Sequence, residues 1–345
     1  MSVIRPVVLS GGSGSRLWPL SHAGAPKQFL SLFGDTSLFR STIDRASLIS
    51  DHPPMVLTGT RHDELVTREA PPESVIVFEP GPRNTAPAII AAALASPPED
   101  ILVILPADHL INEPAAFVGS VQQAVKIAEN GGIVTLGVVP SRAETGYGWI
   151  KLGPAGVDGG FAIDTFVEKP SKVVAEAMLA NGDCLWNSGV FIARAGEVIF
   201  AADQFAPETL NSVRASLPAD TSGRVFLGGE FLAATANSFD RAVMERVPNG
   251  FVVPLDAGWN DVGSWMSVWE NVSRDSSGNA TQGPVVIVDS TNSLVWSSGR
   301  PIAVVGVEGV VVVETGEGIL VVAMESGQQI RSVVEQLKQN YEEGD

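Results

Sequence analysis

The chain has 345 residues, of which 45% are hydrophobic and 18% are charged, and its formal net charge is -17. This balance is typical of a globular protein with one large and one smaller domain. The negative charge argues against a nucleic-acid binder and against docking on anionic lipid, so an anionic substrate would need a local group of cations or a metal ion.

The cysteine content and the distribution of apolar residues narrow the class of protein further. A single cysteine, Cys184, excludes an intramolecular disulfide and a cysteine-based metal cluster. The N-terminal sequence lacks a signal-peptide pattern, and no apolar run approaches the roughly 18 residues of a membrane span. We therefore expect a cytoplasmic protein that interacts with neither a membrane nor a nucleic acid.

The first predicted strand, Val7 to Leu9, runs into a turn with three glycines and three serines that ends at Arg16. Glycines let backbone N–H groups approach a phosphate, and Arg16 and the nearby Lys27 add positive charge. The turn fits neither the P-loop nor the dinucleotide fingerprint, which needs glycine where Leu17 stands. It is a candidate phosphate site, and an ordinary strand-to-helix turn with a solvated arginine is the alternative.

From Val3 to about Pro248, short runs of Val, Ile and Leu alternate with helical stretches. The pattern predicts strands over 55–58, 74–78, 100–106 and 132–138, and helices over 85–95 and 117–129. Such alternation predicts an α/β fold with a Rossmann-like, doubly wound and mostly parallel sheet, which binds ligands at the carboxyl ends of its strands.

A carboxylate, Asp108, follows the strand that ends at Leu105. Magnesium takes one or two carboxylates together with substrate phosphates, so Asp108 is a candidate ligand, and a turn or cap residue is the alternative. The next residue, His109, is interpreted as an orienting or hydrogen-bonded histidine. A second candidate ligand, Asp261, lies in a Gly- and Trp-rich segment, and Asp256 is the competing choice there, ranked lower as a structural residue.

Three stretches at predicted strand ends are candidates for sugar recognition: residues 144–150, 166–170 and 186–191. Sugar hydroxyls need paired donors and acceptors, which Glu168 and Asn187 offer, with Asn187 expected in a turn before a strand. Lys169 is placed to contact a sugar phosphate. A surface turn with a solvated ion pair is the alternative for each stretch.

After Asn271 the composition changes to Ser, Gly, Asn and Thr, followed by short β-rich runs at roughly ten-residue spacing. The runs cover residues 285–288, 293–296, 302–305, 310–313 and 319–322, and an amphipathic helix is predicted over 329–340. We therefore divide the chain into a catalytic domain, 1–275, and a small β-rich module, 276–345. Exposed parallel edges invite pairing, so a homodimer through this module is expected, and a simple capping role is the alternative.

Several motifs agree in order and spacing with one known family. They are residues 9–20, 26–30, 79–80, 83–89, 106–109, 144–148, 166–170, 185–189, 238–240, 242–245, 256–259 and 261–265. On these residues the chain resembles the sugar-nucleotidyltransferases, and within them the bacterial mannose-1-phosphate guanylyltransferases, also called GDP-mannose pyrophosphorylases. The stretches Pro26–Leu30 and Arg83–Pro87 indicate the branch that uses mannose and GTP.

The resemblance implies that GMP is transferred from GTP to mannose 1-phosphate with Mg²⁺ as cofactor, giving GDP-mannose and pyrophosphate. By that resemblance Arg16 and Lys27 hold the phosphates and carry the catalysis, and Asp108 and Asp261 hold the metal. The sugar contacts would come from Gly146, Tyr147, Glu168, Lys169 and Asn187. The nucleotide contacts would come from Leu9, Gly11, Gly12, Ser13, Gly14, Glu79, Arg83, Asn84, Thr85 and Asp108, with Glu79 as the hypothetical reader of guanine.

The resemblance also implies that the β-rich module is a short left-handed β-helix, and that the isomerase domain of some longer relatives is absent. One departure, His22 to Ala25 in place of a bulkier stretch, leaves the shape of that loop open. The same chemistry with another nucleotide or hexose 1-phosphate is the nearest alternative. A non-catalytic regulatory paralogue that binds GDP-mannose is a further one, although Arg16, Lys27, Asp108 and Asp261 are all present.

Overall fold

The computed structural model describes residues 3–12 and 14–342, and these form two compact units. The first unit contains the chain up to Gly11 together with Arg40–Ala107 and Ile111–Trp259. The second contains Gly12–Phe39, Asp108–Leu110 and the chain from Asn260 onward. Most of the glycine-rich turn therefore belongs with the C-terminal part of the chain, while the domain boundary between residues 275 and 276 stays a prediction.

Among the described residues, the first unit is built on one ten-stranded sheet. The strands are numbered along the chain: β1 (Ile4–Ser10), β2 (Met55–Gly59), β3 (Val75–Glu79), β4 (Ile101–Pro106), β5 (Leu110–Ile111), β6 (Ile133–Val138), β7 (Gly148–Ala155), β8 (Phe161–Glu168), β9 (Cys184–Arg194), β10 (Arg224–Phe226), β11 (Gly250–Pro254) and β12 (Trp259–Asn260). The order in the sheet is β10-β3-β2-β1-β4-β9-β6-β11-β8-β7, and the two short strands β5 and β12 lie outside it. The predicted strands over 55–58, 74–78, 100–106 and 132–138 are confirmed to within a residue or two.

The helices that the structure describes are α1 (Leu38–Ile49), α2 (Asp63–Glu69), α3 (Thr85–Leu94), α4 (Pro114–Ala128), α5 (Lys172–Asn181), α6 (Ala195–Phe205), α7 (Pro207–Ser216), α8 (Trp265–Asn271) and α9 (Ile330–Glu342). Helices of the first unit pack on both faces of its sheet. In β4, Leu102 and Ile104 join a core with α3, α6 and α7, whereas Ile101 and Val103 join a second core with Phe117 of α4. Alternate residues of a strand point to opposite faces, so the doubly wound α/β prediction is confirmed.

The direction of the strands changes across the sheet. Pairing is parallel from β10 through β3, β2 and β1 to β4, and again between β6 and β11. However, β9 runs antiparallel to β4, β6 and β7, and β8 runs antiparallel to β7 and β11. The sheet is thus more mixed than the expected mostly parallel one, because a strand buried on both faces has the same apolar pattern in either direction.

The second unit contains six strands in its C-terminal part: β13 (Ala280–Gln282), β14 (Val285–Val288), β15 (Leu294–Ser297), β16 (Ile302–Val305), β17 (Val310–Thr315) and β18 (Gly318–Ala323). Here β14 pairs in parallel with β16, and β15 pairs with both β13 and β17. Val285 pairs with Ile302 and Leu294 pairs with Val311, the same step along the chain in both cases. A constant step between parallel strands is the geometry of a coil of stacked turns, as in a β-helix. Its left-handedness stays a prediction.

Residues that follow the glycine-rich turn pack into the core of this β-rich part. Leu17 is fully buried in a cluster that also contains Trp265 and Val313. The indole N–H of Trp265 donates to the backbone oxygen of Trp18 over 3.2 Å, and the Thr315 hydroxyl donates to the backbone oxygen of Pro19 over 3.3 Å. Arg16 is thereby placed by contacts with the C-terminal strands. Across the described part of the chain, we find no helix with the length and apolar character needed to cross a membrane.

Candidate active site

Lys27 is a buried cation with two acceptors in the second unit. Its ammonium lies 2.7 Å from Oδ2 of Asp108 and donates to the backbone oxygen of Asp261 over 2.6 Å. Burial alone would raise the pKa of Asp108, but the charges of Lys27 and His109 outweigh it, so that the pKa of this carboxyl is lowered. The carboxyl group of Asp108 is therefore ionised at neutral pH.

The conformation of the glycine-rich turn leaves room for Lys27. Gly14 has a φ of +62°, and a Cβ atom there would lie 2.2 Å from Cβ of Lys27. Such a contact is impossible without moving the lysine, so glycine at this position is a packing requirement. Lys27 itself begins a short 3-10 turn, Lys27–Phe29, directly after Pro26. The sequence interpretation treated Gly14 as a nucleotide contact, and the structure adds a second role in positioning the lysine.

Asp261 lies in a tight turn that folds its carboxylate back on its own backbone. Its Oδ1 accepts a hydrogen bond from the Gly263 N–H over 3.0 Å, and Val262 between them has a φ of +50°. A Cβ atom on Gly263 would fall 2.5 Å from Oδ2 of Asp261. Gly263 is thus needed for the Asp261 carboxylate to occupy its position.

The donor set around Lys27 fits a magnesium ion. Asp108 and Asp261 both contact this one ammonium, the first through its carboxylate and the second through its backbone oxygen. Mg²⁺ prefers oxygen ligands and is usually held by one or two carboxylates plus phosphates and water. Within the described ranges, no group of three or more His, Cys, Asp or Glu side chains could hold a metal ion. A metal at this site would therefore need additional ligands from a bound phosphate or from water.

Arg16 lies in the short 3-10 turn Ser15–Leu17 and is partly exposed. The structure shows no hydrogen bond or ion pair of its guanidinium with any described residue, so its five N–H donors are available to an anion. Ser13, also predicted to bind the nucleotide, lies outside the described residues. Gly12 is exposed, and a Cβ atom there would meet nothing within 4 Å.

Glu79 is a buried carboxyl group at the end of β3, in the first unit. It is 7% exposed, and its Oε1 has no hydrogen-bond partner among the described residues. Burial raises the pKa of Glu79 to about 7. Its other oxygen, Oε2, would lie 3.6 Å from a Cβ atom placed on Gly11, which directly follows β1. An unpaired buried acceptor beside a glycine backbone is suited to a ligand that offers N–H donors.

Arg83, Asn84 and Thr85 take part in contacts within the protein. The guanidinium of Arg83 donates twice to the backbone oxygen of Leu232, over 2.9 and 2.6 Å. Asn84 caps α3 by accepting from the Thr85 N–H over 2.8 Å, and the Thr85 hydroxyl oxygen accepts from the Phe239 N–H over 2.9 Å. These contacts fix the start of α3, and the role of the three residues toward a nucleotide stays a prediction.

Glu168 and Asn187 come together beside Gly148, at the start of β7. A Cβ atom on Gly148 would lie 2.8 Å from Oε2 of Glu168 and 3.1 Å from Cβ of Asn187. The predicted Gly146 instead donates its N–H to Oε1 of Glu144 over 2.9 Å. The expectation that Asn187 lies in a turn is wrong, because it lies inside β9 and is 8% exposed. Gly148 lies in the predicted stretch 144–150, although the sequence interpretation assigned the sugar contact to Gly146.

Tyr147 and Lys169 form one side of this group. The Tyr147 ring makes edge contacts with Trp186 and Trp259, with ring centroids 5.2 and 5.3 Å apart. Lys169 has a φ of +52°, its N–H donates to the Tyr147 backbone oxygen over 3.1 Å, and its ammonium lies 2.9 Å from Oε1 of Glu168. A lysine held in a left-handed conformation beside a carboxylate is a strained arrangement typical of binding sites.

Two further polar residues bind Asn187, and neither was given a role from the sequence, although Asp240 lies in the family-like stretch 238–240. Asn187 Nδ2 donates to Oδ1 of Asp240 over 2.7 Å, and the Thr135 hydroxyl donates to Oδ1 of Asn187 over 2.7 Å. Thr135 is a polar residue within an apolar strand, which is a recognisable signal. Asp240 is distant in sequence, so no local pattern connects it to Asn187.

Comparison with known proteins adds an independent finding. Residues 5–277 match the family model described as nucleotidyl transferase, and residues 283–337 match a MannoseP isomerase/GMP-like beta-helix domain. The chain is 40% identical to the xanthan biosynthesis protein XanB of Xanthomonas campestris and 39% identical to a mannose-1-phosphate guanylyltransferase of Escherichia coli K12, covering 98% of this chain and 74% of each relative.

A solved structure from Thermus thermophilus, described as a mannose-1-phosphate geranyltransferase, superposes with a TM-score of 0.88 at 30% identity. The match covers 97% of this chain and 99% of that chain. The predicted fold class, including the β-helix, and the resemblance drawn from the motifs are thereby confirmed.

Proposed function

Since this chain belongs to the nucleotidyl transferase family, we propose that it transfers GMP from GTP to α-D-mannose 1-phosphate, giving GDP-mannose and pyrophosphate. The observation that carries the proposal is the contact of Lys27 with both Asp108 and Asp261 in the second unit. This arrangement combines a fixed ammonium with the Asp108 carboxylate and the Asp261 backbone oxygen, and Arg16 follows the glycine-rich turn of the same unit. Such a set is suited to a polyphosphate with a divalent cation.

The proposed reaction needs no general base. The phosphate of the sugar is already ionised at neutral pH, and one of its oxygens attacks the α-phosphorus of GTP. The bond between that phosphorus and the oxygen bridging to the β-phosphorus breaks, and its electron pair leaves with pyrophosphate. Catalysis then consists of aligning two anions and stabilising the charge on the leaving group.

Lys27 and Arg16 would supply positive charge to the phosphates. In the free protein Asp108 already neutralises Lys27, so a bound triphosphate competes with Asp108 for the ammonium. The carboxylate is then released toward a cation, which Asp108 and Asp261 would hold. When bound there, Mg²⁺ neutralises phosphate charge as the α-phosphorus is attacked.

Glu79 would read the guanine base. The Watson–Crick edge of guanine carries two N–H donors, and the buried Oε1 of Glu79 has no described partner. The backbone at Leu9, Gly11 and Gly12 would contact the nucleoside, with further contacts proposed for Ser13, Gly14, Arg83, Asn84 and Thr85. Glu168 and Asn187 would bind the hexose hydroxyls, aided by Gly146, Tyr147 and Lys169.

The test is a pyrophosphate-release assay over a matrix of nucleoside triphosphates and sugar 1-phosphates. We expect the fastest release with GTP plus mannose 1-phosphate, and its dependence on added Mg²⁺ tests the metal. Release that is faster with another pair would favour the same chemistry on other substrates. GDP-mannose binding without any release would favour a regulatory protein.

We also propose a homodimer through the β-rich module, in the cytoplasm. Strands β14, β16 and β18 expose apolar side chains, among them Val286, Val305, Ile319 and Val321. Apolar side chains on exposed strands favour association. Sedimentation at micromolar concentration should give a dimer, and a monomer there would contradict this.

A further inference from the structure

Asp240 is a buried acid that the proposed chemistry does not use. It is 9% exposed and begins a π-helical turn, Asp240–Met244, which is a rare element frequently found at functional sites. A buried carboxylate is costly unless it is hydrogen-bonded, and here Oδ1 accepts from Nδ2 of Asn187 over 2.7 Å. The hydrogen bond from Asn187 therefore fixes the position of Asp240.

The hydrogen bonds around Asn187 allow one orientation of its amide. Its Oδ1 accepts from the Gly189 N–H over 3.3 Å and lies 2.7 Å from the Thr135 hydroxyl oxygen, which is also 2.9 Å from the Val190 backbone oxygen. An ionised carboxylate only accepts, so Nδ2 has to face Asp240. Of the two N–H groups on Nδ2, one is used by Asp240, and the described residues provide no partner for the other. That second N–H is available to a hydroxyl of a ligand.

The same turn also fixes Glu168. Oε1 of Glu245, the residue after the π-helical turn, accepts a hydrogen bond from the Glu168 N–H over 3.1 Å. Burial, and after it the charge of Glu168, raises the pKa of Asp240 to about 6. Residues 240–245 thus contact the side chain of Asn187 and the backbone of Glu168, the two residues that we assign to the hexose.

We propose that Asp240 is a positioning residue of the hexose subsite, which fixes the Asn187 amide so that one N–H is presented to a sugar hydroxyl. The inference rests on the proposed function, since it assumes that Asn187 binds the sugar. A purely structural acid would affect both substrates equally, whereas a positioning acid affects the sugar phosphate alone.

The test compares Asp240→Leu, which cannot accept a hydrogen bond, with Asp240→Asn, which can. For Asp240→Leu we expect the KM for mannose 1-phosphate to rise about tenfold or more, as for the loss of one hydrogen bond, with the KM for GTP unchanged. Asp240→Asn should restore most of the affinity. Arg241→Ala changes an exposed neighbour on the same turn and is the matched control, with both KM values unchanged.

Calorimetric binding of GDP-mannose and of GDP gives a second measurement that does not depend on turnover. Asp240→Leu should weaken GDP-mannose binding and leave GDP binding unchanged. Equal effects on both ligands, or an Asp240→Asn variant as weak as Asp240→Leu, would overturn the inference. If Asp240→Leu does not fold, Asp240→Ser, which is too short to reach Asn187, carries the same expectation.

The two proposals fail in different ways. A wild-type protein that releases no pyrophosphate with any substrate pair overturns the proposed function, and the positioning role with it. A wild type that is active and an Asp240→Leu variant with the same KM for mannose 1-phosphate overturn the positioning role alone.

Discussion

At the scale of single residues, the cations assigned to the phosphates differ in their surroundings. Lys27 is 6% exposed on its side chain and holds two acceptors, whereas Arg16 is partly exposed with no described partner. A cation that is paired in the free protein contributes to folding, and an unpaired one contributes mainly to ligand binding. Substitution of Lys27 should therefore lower both stability and turnover, whereas substitution of Arg16 should lower turnover and leave stability unchanged.

Arg16→Ala should lower kcat by about a hundredfold or more, the usual loss when a charge-stabilising donor is removed. Its melting temperature should stay close to that of the wild type, because the side chain makes no described contact. Steady-state pyrophosphate release and a thermal melt measure the two quantities. Arg331→Ala, an exposed arginine of α9, is the control for loss of a positive charge. An Arg16→Ala variant with wild-type kcat would remove Arg16 from catalysis.

Glu79 predicts a dependence of stability on pH. Its pKa is raised from 4.5 to about 7 by burial, so the folded state binds more protons than the unfolded state between these values. Stability contributed by this group is complete below pH 4.5 and is lost as the pH rises through 7, by up to roughly 3 kcal/mol.

The test of this dependence is the substitution Glu79→Gln, which cannot ionise. The variant should gain stability relative to the wild type as the pH rises from 5 to 8, measured by urea denaturation at both values. A difference that is independent of pH would contradict the raised pKa. The same variant should lose its preference for GTP over ATP, and an unchanged preference would exclude Glu79 as the reader of guanine.

At the scale of elements, the glycine-rich turn is constrained by packing. Gly14→Ala would place a Cβ atom 2.2 Å from Cβ of Lys27 at a φ of +62°. We expect a loss of about 1–3 kcal/mol in the free energy of unfolding and a large loss of turnover, because Lys27 has to move. Gly12→Ala, with open space around it, is the stability control. Equal unfolding energies for the two variants would show that the turn adapts.

The elements themselves were largely predictable, and their pairing was not. Apolar runs identified β1 to β4 and β6 of the sheet and β14 to β18 of the β-rich module, because burial determines their composition. Trp186 to Gly189 was interpreted as a turn, since Asn-Ser-Gly is typical of turns. In the structure this segment is part of β9, where Gly189 has a φ of +73° and the register between β9 and β6 shifts nearby. A local pattern does not show that such a segment is inside a sheet.

At the scale of the whole molecule, the sequence predicted residues of the candidate site better than the contacts between them. Glu168 could be found because it ends a strand, where ligands bind in such sheets, whereas Glu79 was found through the family resemblance. The contacts of Lys27 with Asp108 and Asp261, and of Asn187 with Asp240, join residues far apart in the chain. Long-range contacts of this kind leave no periodic signal in one sequence.

The burial of Leu17 among the C-terminal strands has a consequence for local unfolding. Contiguous cooperative units of a protein open together, and the amide protons within one unit exchange with solvent at similar free energies. Because residues 17–19 are held by Trp265, Val313 and Thr315, the amide of Leu17 should exchange at the rate of the amides in β17.

Native-state hydrogen exchange measures this directly, with β4 of the first unit as the reference. Leu17 should follow β17 in its response to denaturant, and agreement with β4 instead would contradict the coupling. If the coupling holds, a triphosphate that binds beside Arg16 slows exchange in β17 as well. The opening rate of the β-rich module would then depend on whether the nucleotide is bound.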